Sequence, residues 1–308
     1  MTYIKLLFTA VFWGGTFIAG KLLSHNVDPY SAAFLRFLIA SFCLVFLTIK
    51  IEGCLPKLKP DKIIIIFLLG LSGIFFYNLF FFSGLKYIQA NQASLIIATN
   101  PIFITLCSAL FFKESLNLNK IIGLCLSVTG ALIVISNGNI FDILNLKLEK
   151  GELLIFGCVA SWVIYSILGK RAMNELSPIV SVCYSSIAGT ILLFFPALYK
   201  GVFSNMLSYS LIEWTSLFYL GFFGTALGFF WYYAGIKKIG PMQAGMFINF
   251  VPISAIILSF FILKEPLTTS LVIGAALVIA GVYLSSARPK TANLPNYSVG
   301  KNFIKKEP

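Results

Sequence analysis

The sequence predicts an all-α integral membrane protein: ten transmembrane helices arranged as two inverted five-helix repeats. Three observations predict it. Mean hydropathy is +0.92, with 58% hydrophobic and only 11% charged residues, where a soluble domain carries about a quarter charged residues to cover its surface. Apolar stretches recur that are long enough for about 20 residues at ~1.5 Å rise to cross a hydrocarbon core of ~30 Å. The chain is also written twice, because residues 67–136 align on residues 218–287 at a constant offset of 151 without a gap. Twenty of those seventy positions are identical, more than shared hydrophobicity explains. Barrel strands are excluded, since they would alternate over about ten residues instead of running apolar throughout.

The elements follow in order. Helix one, about 3–22, looks like a secretory leader behind Lys5, but its Trp13, Gly20 and Lys21 return at an offset of 149 as Trp162, Gly169 and Lys170, so it belongs to the repeat. Helix two, about 30–50, opens after Asp28-Pro29, an N-cap followed by proline at the first helical position. Helices three and four, about 62–83 and 90–112, form a hairpin, and the second contains Pro101. Helix five, about 119–136, carries Gly123 and Gly130 seven residues apart on one face, a surface for close packing or a hinge. Helix six, about 151–169, restarts the pattern, and helix seven, about 178–198, opens on Ser177-Pro178. Helices eight, nine and ten, about 214–235, 241–263 and 269–286, repeat Pro101 as Pro252 and the glycine pair as Gly274 and Gly281. An odd number of crossings per copy turns the second copy over. The expected units are 1–138, a linker at 139–148, 149–287, and a disordered basic tail at 288–308.

The net charge of +12 is explained by placement. With the N-terminus in the cytoplasm, sixteen basic residues fall on that side, from Lys5 to Lys306, and six on the other: Lys21, Lys86, Lys147, Lys150, Lys200 and Lys264. That bias sets both termini inside and attracts anionic lipid, so no nucleic-acid partner is implied. Six scattered cysteines and a single histidine offer neither a disulfide framework nor a metal centre, and no cofactor is expected.

The segment Phe12-Trp13-Gly14-Gly15-Thr16-Phe17, then Lys21, Pro29 and Arg36-Phe37, resembles the start of EamA domains of the drug/metabolite transporter superfamily. So do Pro101, Lys113-Glu114 and Gly123…Gly130, with Pro252, Lys264-Glu265-Pro266 and Gly274…Gly281 in the second half. The resemblance covers about residues 3–287 and implies a ten-helix bundle around a central cavity lined by helices 1, 3, 4, 6, 8 and 9. It implies substrates such as amino acids, other small metabolites or drugs, often exported, and a bacterial plasma membrane. Ser185 stands where the first half has Arg36, so any contact from that arginine comes from one repeat only.

Several residues are candidates for the solute path. Pro101 and Pro252 fall near the middle of helices four and nine, where proline frees the carbonyls of Ile97 and Ile248. Freed backbone at that depth must face protein or a water-filled cavity. Asn100 and Asn249 lie beside these kinks, with Gln92 and Gln243 one segment earlier; they border the path or bond helix to helix. Arg36, inside helix two, either holds a substrate carboxylate or ties helices together. Trp13, Tyr77, Asn78, Trp162, Tyr165 and Trp231 offer an aromatic, hydrogen-bonding lining, or else packing and interfacial belts. Glu114 and Glu265, each following a lysine, suit capping and local ion pairing, or else a gating role. The acids lie at helix ends, in loops or in the tail, so a midplane carboxylate relay is not supported. These features favour an alternating-access carrier for a small molecule, working by facilitated transport or exchange, with a homodimer possible. The alternative is a non-transporting sensor or assembly protein on the same scaffold.

Overall fold

The computed structural model describes residues 1–100, 102–103, 107, 118–136, 138–139, 148–172, 175–239, 247 and 250–286. Among the described residues there is no strand, and the helices run α1 (Thr2–Ser24), α2 (Pro29–Glu52), α3 (Pro60–Gly84), α4 (Ala90–Ile97), α5 (Leu118–Ile135), α6 (Lys150–Ala172) and α7 (Pro178–Tyr199). Then follow a single helical turn (Val202–Asn205) running into a 3-10 turn (Met206–Ser208), α8, in three pieces (Leu211–Phe218, Tyr219–Leu227 and Gly228–Ile239), α9 (Phe250–Leu263) and α10 (Thr269–Ser286). Among the described residues, five stretches are long and apolar enough to cross a bilayer: α1, α2, α3, Lys150–Gly169 of α6, and α7. Ile121–Ile135, α9 and Thr269–Gly281 are apolar but shorter. Most of the expected linker and the whole basic tail lie outside the described residues.

Helix ends follow local chemistry. Asp28 accepts the Tyr30 N–H at 3.0 Å, Ser177 accepts that of Val180 at 3.5 Å, and Pro29 and Pro178 occupy the first helical positions. α2 stops at Gly53, whose φ of 80° is open to glycine at little cost.

Among the described residues, three helices change winding: Gly70–Phe76 of α3, Tyr219–Leu227 of α8 and Ser259–Leu263 of α9 are π-helical. The first two coincide under the internal repeat, since Gly70 and Gly73 recur as Gly221 and Gly224. A π turn leaves backbone groups without their α-helical partners and persists where neighbours support it. The support here is contact through missing side chains. A Cβ on Gly73 would stand 2.2 Å from the Tyr165 ring, and one on Gly224 would stand 2.6 Å from Thr16 Cγ2. Gly70 lies against Ser185 and Ala188 of α7, and Gly221 against Arg36 and Ile39 of α2. Thr16 and Tyr165, Arg36 and Ser185, and Ile39 and Ala188 are repeat partners at an offset of 149. Each of these contacts therefore occurs twice, as a pseudo-two-fold relation between the halves requires.

α5 and α10 pair through the glycine face. A Cβ on Gly130 would stand 2.6 Å from the Gly274 carbonyl oxygen, and Ser127 Oγ donates to Val278 O at 3.2 Å. In lipid, where burial of apolar surface gives helices little drive to associate, such close approach supplies dispersion contacts instead. The face is a packing surface.

Connections sort to two ends. Lys62 meets Glu175, Ser177 Oγ donates to Glu52 at 2.7 Å, and Tyr184 donates to Pro56 O at one end. At the other, Asn26 Nδ2 donates to Glu213 Oε1 at 2.8 Å, and Lys150 Nζ lies 4.8 Å from the Tyr87 ring centre.

Candidate solute path between the halves

The two π turns place the candidate residues. On α1, the Trp13 indole donates to Gly224 O at 3.0 Å, and Tyr219 donates to Phe12 O at 3.0 Å, so α1 is fastened twice to the π turn of α8. The Trp13 ring packs on Phe229 and Tyr232, with centroids at 5.7 and 5.3 Å, and lies over Gly228. Its repeat partner Trp162, on α6, packs on Tyr77 of α3 at 5.4 Å and on Tyr165 at 5.3 Å. Tyr77 and Gly228 are themselves repeat partners, so one half has a phenol ring where the other has none.

Arg36 is 8% exposed. Its Nη1 donates to Asn78 Oδ1 at 2.9 Å, and its Nε and Nη2 each lie 3.3 Å from Thr225 Oγ1. Asn78 Nδ2 donates to Ile74 O and Thr225 Oγ1 to Leu220 O, both at 2.8 Å. The guanidinium thus ties α2 to α3 and to the π turn of α8 through neutral groups, and it carries its charge into the seam. At the repeat-related place, Ser185 Oγ lies 3.4 Å from Tyr165 Oη and donates to Val182 O at 3.1 Å. The seam has a cationic pole on one side and a hydroxyl-aromatic pole on the other.

Trp13 and Arg36 thus contact α8 of the other half, Asn78 holds Arg36, and Tyr77 meets Trp162 and, through it, Tyr165 across the same boundary. Gln92 does something more local, accepting the Gln89 N–H at 3.4 Å as part of a capping box on α4. Trp231 lies toward the N-terminal end of α1, 5.6 Å from Phe12 and beneath Lys5. α4 ends at Ile97, and Ala98–Thr99 form a turn in which Thr99 Oγ1 donates to Ile96 O at 2.6 Å. Asn100 follows, buried, with its Oδ1 unpartnered. Pro101, Gln243 and Asn249 lie outside the described residues, while Pro252 is buried within the described start of α9. Thr225, Tyr219 and the four π-turn glycines were not among the expected site residues. The signal for the glycines was present, as a G-x-x-G at 70–73 returning in register at 221–224.

Glu265 also has a longer reach than local pairing. Its Oε1 accepts the Ala90 N–H at 2.8 Å and its Oε2 the Asn91 N–H at 3.1 Å, capping α4 from the other half. Lys21 Nζ donates to Leu85 O and Ile88 O at 2.6 and 2.7 Å, at the end of α3. Lys264, next to Glu265, has φ 58°, the only positive value at a non-glycine among the described residues. That conformation costs about 1–3 kcal/mol.

A two-repeat helical bundle whose halves grip each other across a polar, aromatic seam is the architecture of a membrane carrier. The model of the EamA-like transporter family matches residues 1–136 and 149–287, and the chain belongs to that family. It is 30% identical over 296 residues to the uncharacterized transporter YyaM of Bacillus subtilis (strain 168), covering 96% of each chain. An uncharacterized transporter of Archaeoglobus fulgidus is 30% identical over 284 residues, covering 92% of this chain and 97% of its own. A crystal structure of a protein 20% identical superposes with a TM-score of 0.62 over 91% of this chain and 94% of that one, a likeness of fold. The chain is thus a membrane transporter and not an enzyme.

Proposed function

We propose that this protein is an alternating-access carrier that exports amino acids or related small metabolites across a bacterial plasma membrane. Ten helices cross, the second five inverted, and both termini lie in the cytoplasm. One observation carries the reading: each half inserts its first helix against a π turn of the other, with Trp13 on Gly224 O and Tyr165 on Gly73. A two-fold relation of that kind lets one set of contacts open at either end as the halves rock. The solute lies in the seam, its carboxylate toward Arg36 and its side chain against Trp162, Tyr77 and Tyr165. Asn100, whose buried amide oxygen has no partner, supplies an acceptor for an ammonium group. Basic residues concentrated on the N-terminal side support the topology.

Purified protein in sealed vesicles, loaded with unlabelled amino acids, tests this by counterflow of the labelled compound. Accumulation that Arg36→Gln abolishes, with insertion unchanged, supports the proposal. Absence of counterflow for every amino acid and related metabolite tried removes it and favours a non-transporting sensor or assembly role.

A further inference from the structure

A carrier of this kind needs one end held shut while the other is open, and the end bearing Lys21 (outer, in the proposed topology) contains a device suited to that. Ala90 and Asn91 are the first residues of α4, and their N–H groups have no acceptor within the helix. Glu265 supplies one from the opposite half, 175 and 174 residues away in sequence, with an oxygen on each N–H. The carboxylate is only 7% exposed, so water competes little, and an anion at a helix N-terminus is favoured by the peptide dipoles. Lys21, joined by Ser24 Oγ at 3.3 Å from Leu85 O, fixes the same α3–α4 hairpin to α1. Those bonds lie within one half. The Glu265 bonds, and the Asn26–Glu213 bond at 2.8 Å at the same end, join the two halves and must break for this end to open.

We infer that Glu265 on the α4 N-terminus is a latch that keeps the Lys21 end closed in the resting carrier and releases once in each transport cycle. The inference rests on the alternating-access reading above. The sequence makes the latch one-sided. Lys21 and Lys264-Glu265 recur as Lys170 and Lys113-Glu114, but Ala90-Asn91 recurs as Pro241-Met242. Proline has no N–H, so the repeat-related pair can offer a carboxylate one backbone donor at most. The Lys21 end therefore has the stronger clasp and is the end closed at rest.

The test uses the full chain in sealed vesicles of known orientation, with the six native cysteines changed to serine and Ser166→Cys as reporter, one turn from Trp162. A membrane-impermeant maleimide is added from each side in turn. In the parent, labelling from the N-terminal side is expected to be at least about tenfold faster than from the Lys21 side. Glu265→Gln, which loses one charge-assisted bond and sets an amide against an N–H, raises the Lys21-side rate by about tenfold and lowers the other. Pro241→Ala, which restores the missing donor, moves the ratio in the same direction and carries the test if Glu265→Gln fails to insert. A side-preferring parent whose ratio neither variant moves overturns the latch and leaves the carrier standing. Labelling equally slow from both sides in all three proteins overturns the carrier reading as well.

Discussion

Replacing Thr225 by valine keeps its shape and removes its hydroxyl, where α2 and the π turn of α8 are joined. The hydroxyl accepts two Arg36 N–H groups at 3.3 Å and donates to Leu220 O at 2.8 Å. Charge-assisted bonds usually measure about 2.7–2.9 Å, so the two arginine contacts lie at the weak end of their class, roughly 1 kcal/mol together. Losing the bond to the Leu220 carbonyl, which in the π winding still accepts the Thr225 N–H, adds about 1 kcal/mol. The expected loss is about 2 kcal/mol, well above the average of ~0.6 kcal/mol for an interhelical hydrogen bond in a membrane. The assay is a double-mutant cycle of Thr225→Val with Arg36→Gln, unfolded chemically in mixed micelles and followed by helical circular dichroism. The cycle should return a coupling of about 1 kcal/mol, because the Leu220 bond is lost whatever stands at position 36. Thr225→Ser keeps the hydroxyl and should stay within about 0.5 kcal/mol of the parent. A Thr225→Val cost below about 0.5 kcal/mol, or single losses that simply add, would refute the bracing of the π turn by Arg36.

Gly130→Val should cost about 3 kcal/mol or more, since the first added carbon meets the Gly274 carbonyl oxygen at 2.6 Å, backbone that cannot step aside. Gly169→Val, whose nearest neighbour is Leu69 Cδ2 at 3.9 Å, should be close to neutral; equal melting points for the two variants would contradict this contrast. Gly73→Ala should destabilise by about 1–3 kcal/mol through collision with Tyr165, and adding Tyr165→Thr, the residue type at its repeat partner Thr16, should recover most of the loss in thermal melts.

Much of the architecture was legible because its causes are local or repetitive. Asp28-Pro29 and Ser177-Pro178 start helices where caps and proline geometry dictate, and the gapless repeat announced two equivalent halves. The π turns were not read, because a helix apolar on every side carries no periodicity from which a change of winding could be seen. The paired glycines at 70–73 and 221–224 were the remaining trace. Arg36 stood out as a costly intramembrane cation, but Asn78 and Thr225 reach it only through tertiary packing. Gln92, a candidate for the path, also closes a capping box at the start of its own helix, a role the sequence reading did not assign it. Glu265 was expected to cap, yet the helix it caps lies in the other half, a distance no local pattern records.

The claim beneath all of this is that homologous halves face opposite sides of the bilayer. Lys86 and Lys237 are repeat partners at an offset of 151, which makes them its most direct reporters. Cysteine placed singly at each position, in cells and in inverted vesicles, should react with an impermeant thiol reagent from opposite sides, position 86 from outside and position 237 from the cytoplasm. Reaction of both from one side would contradict the inversion, and the rocking mechanism with it.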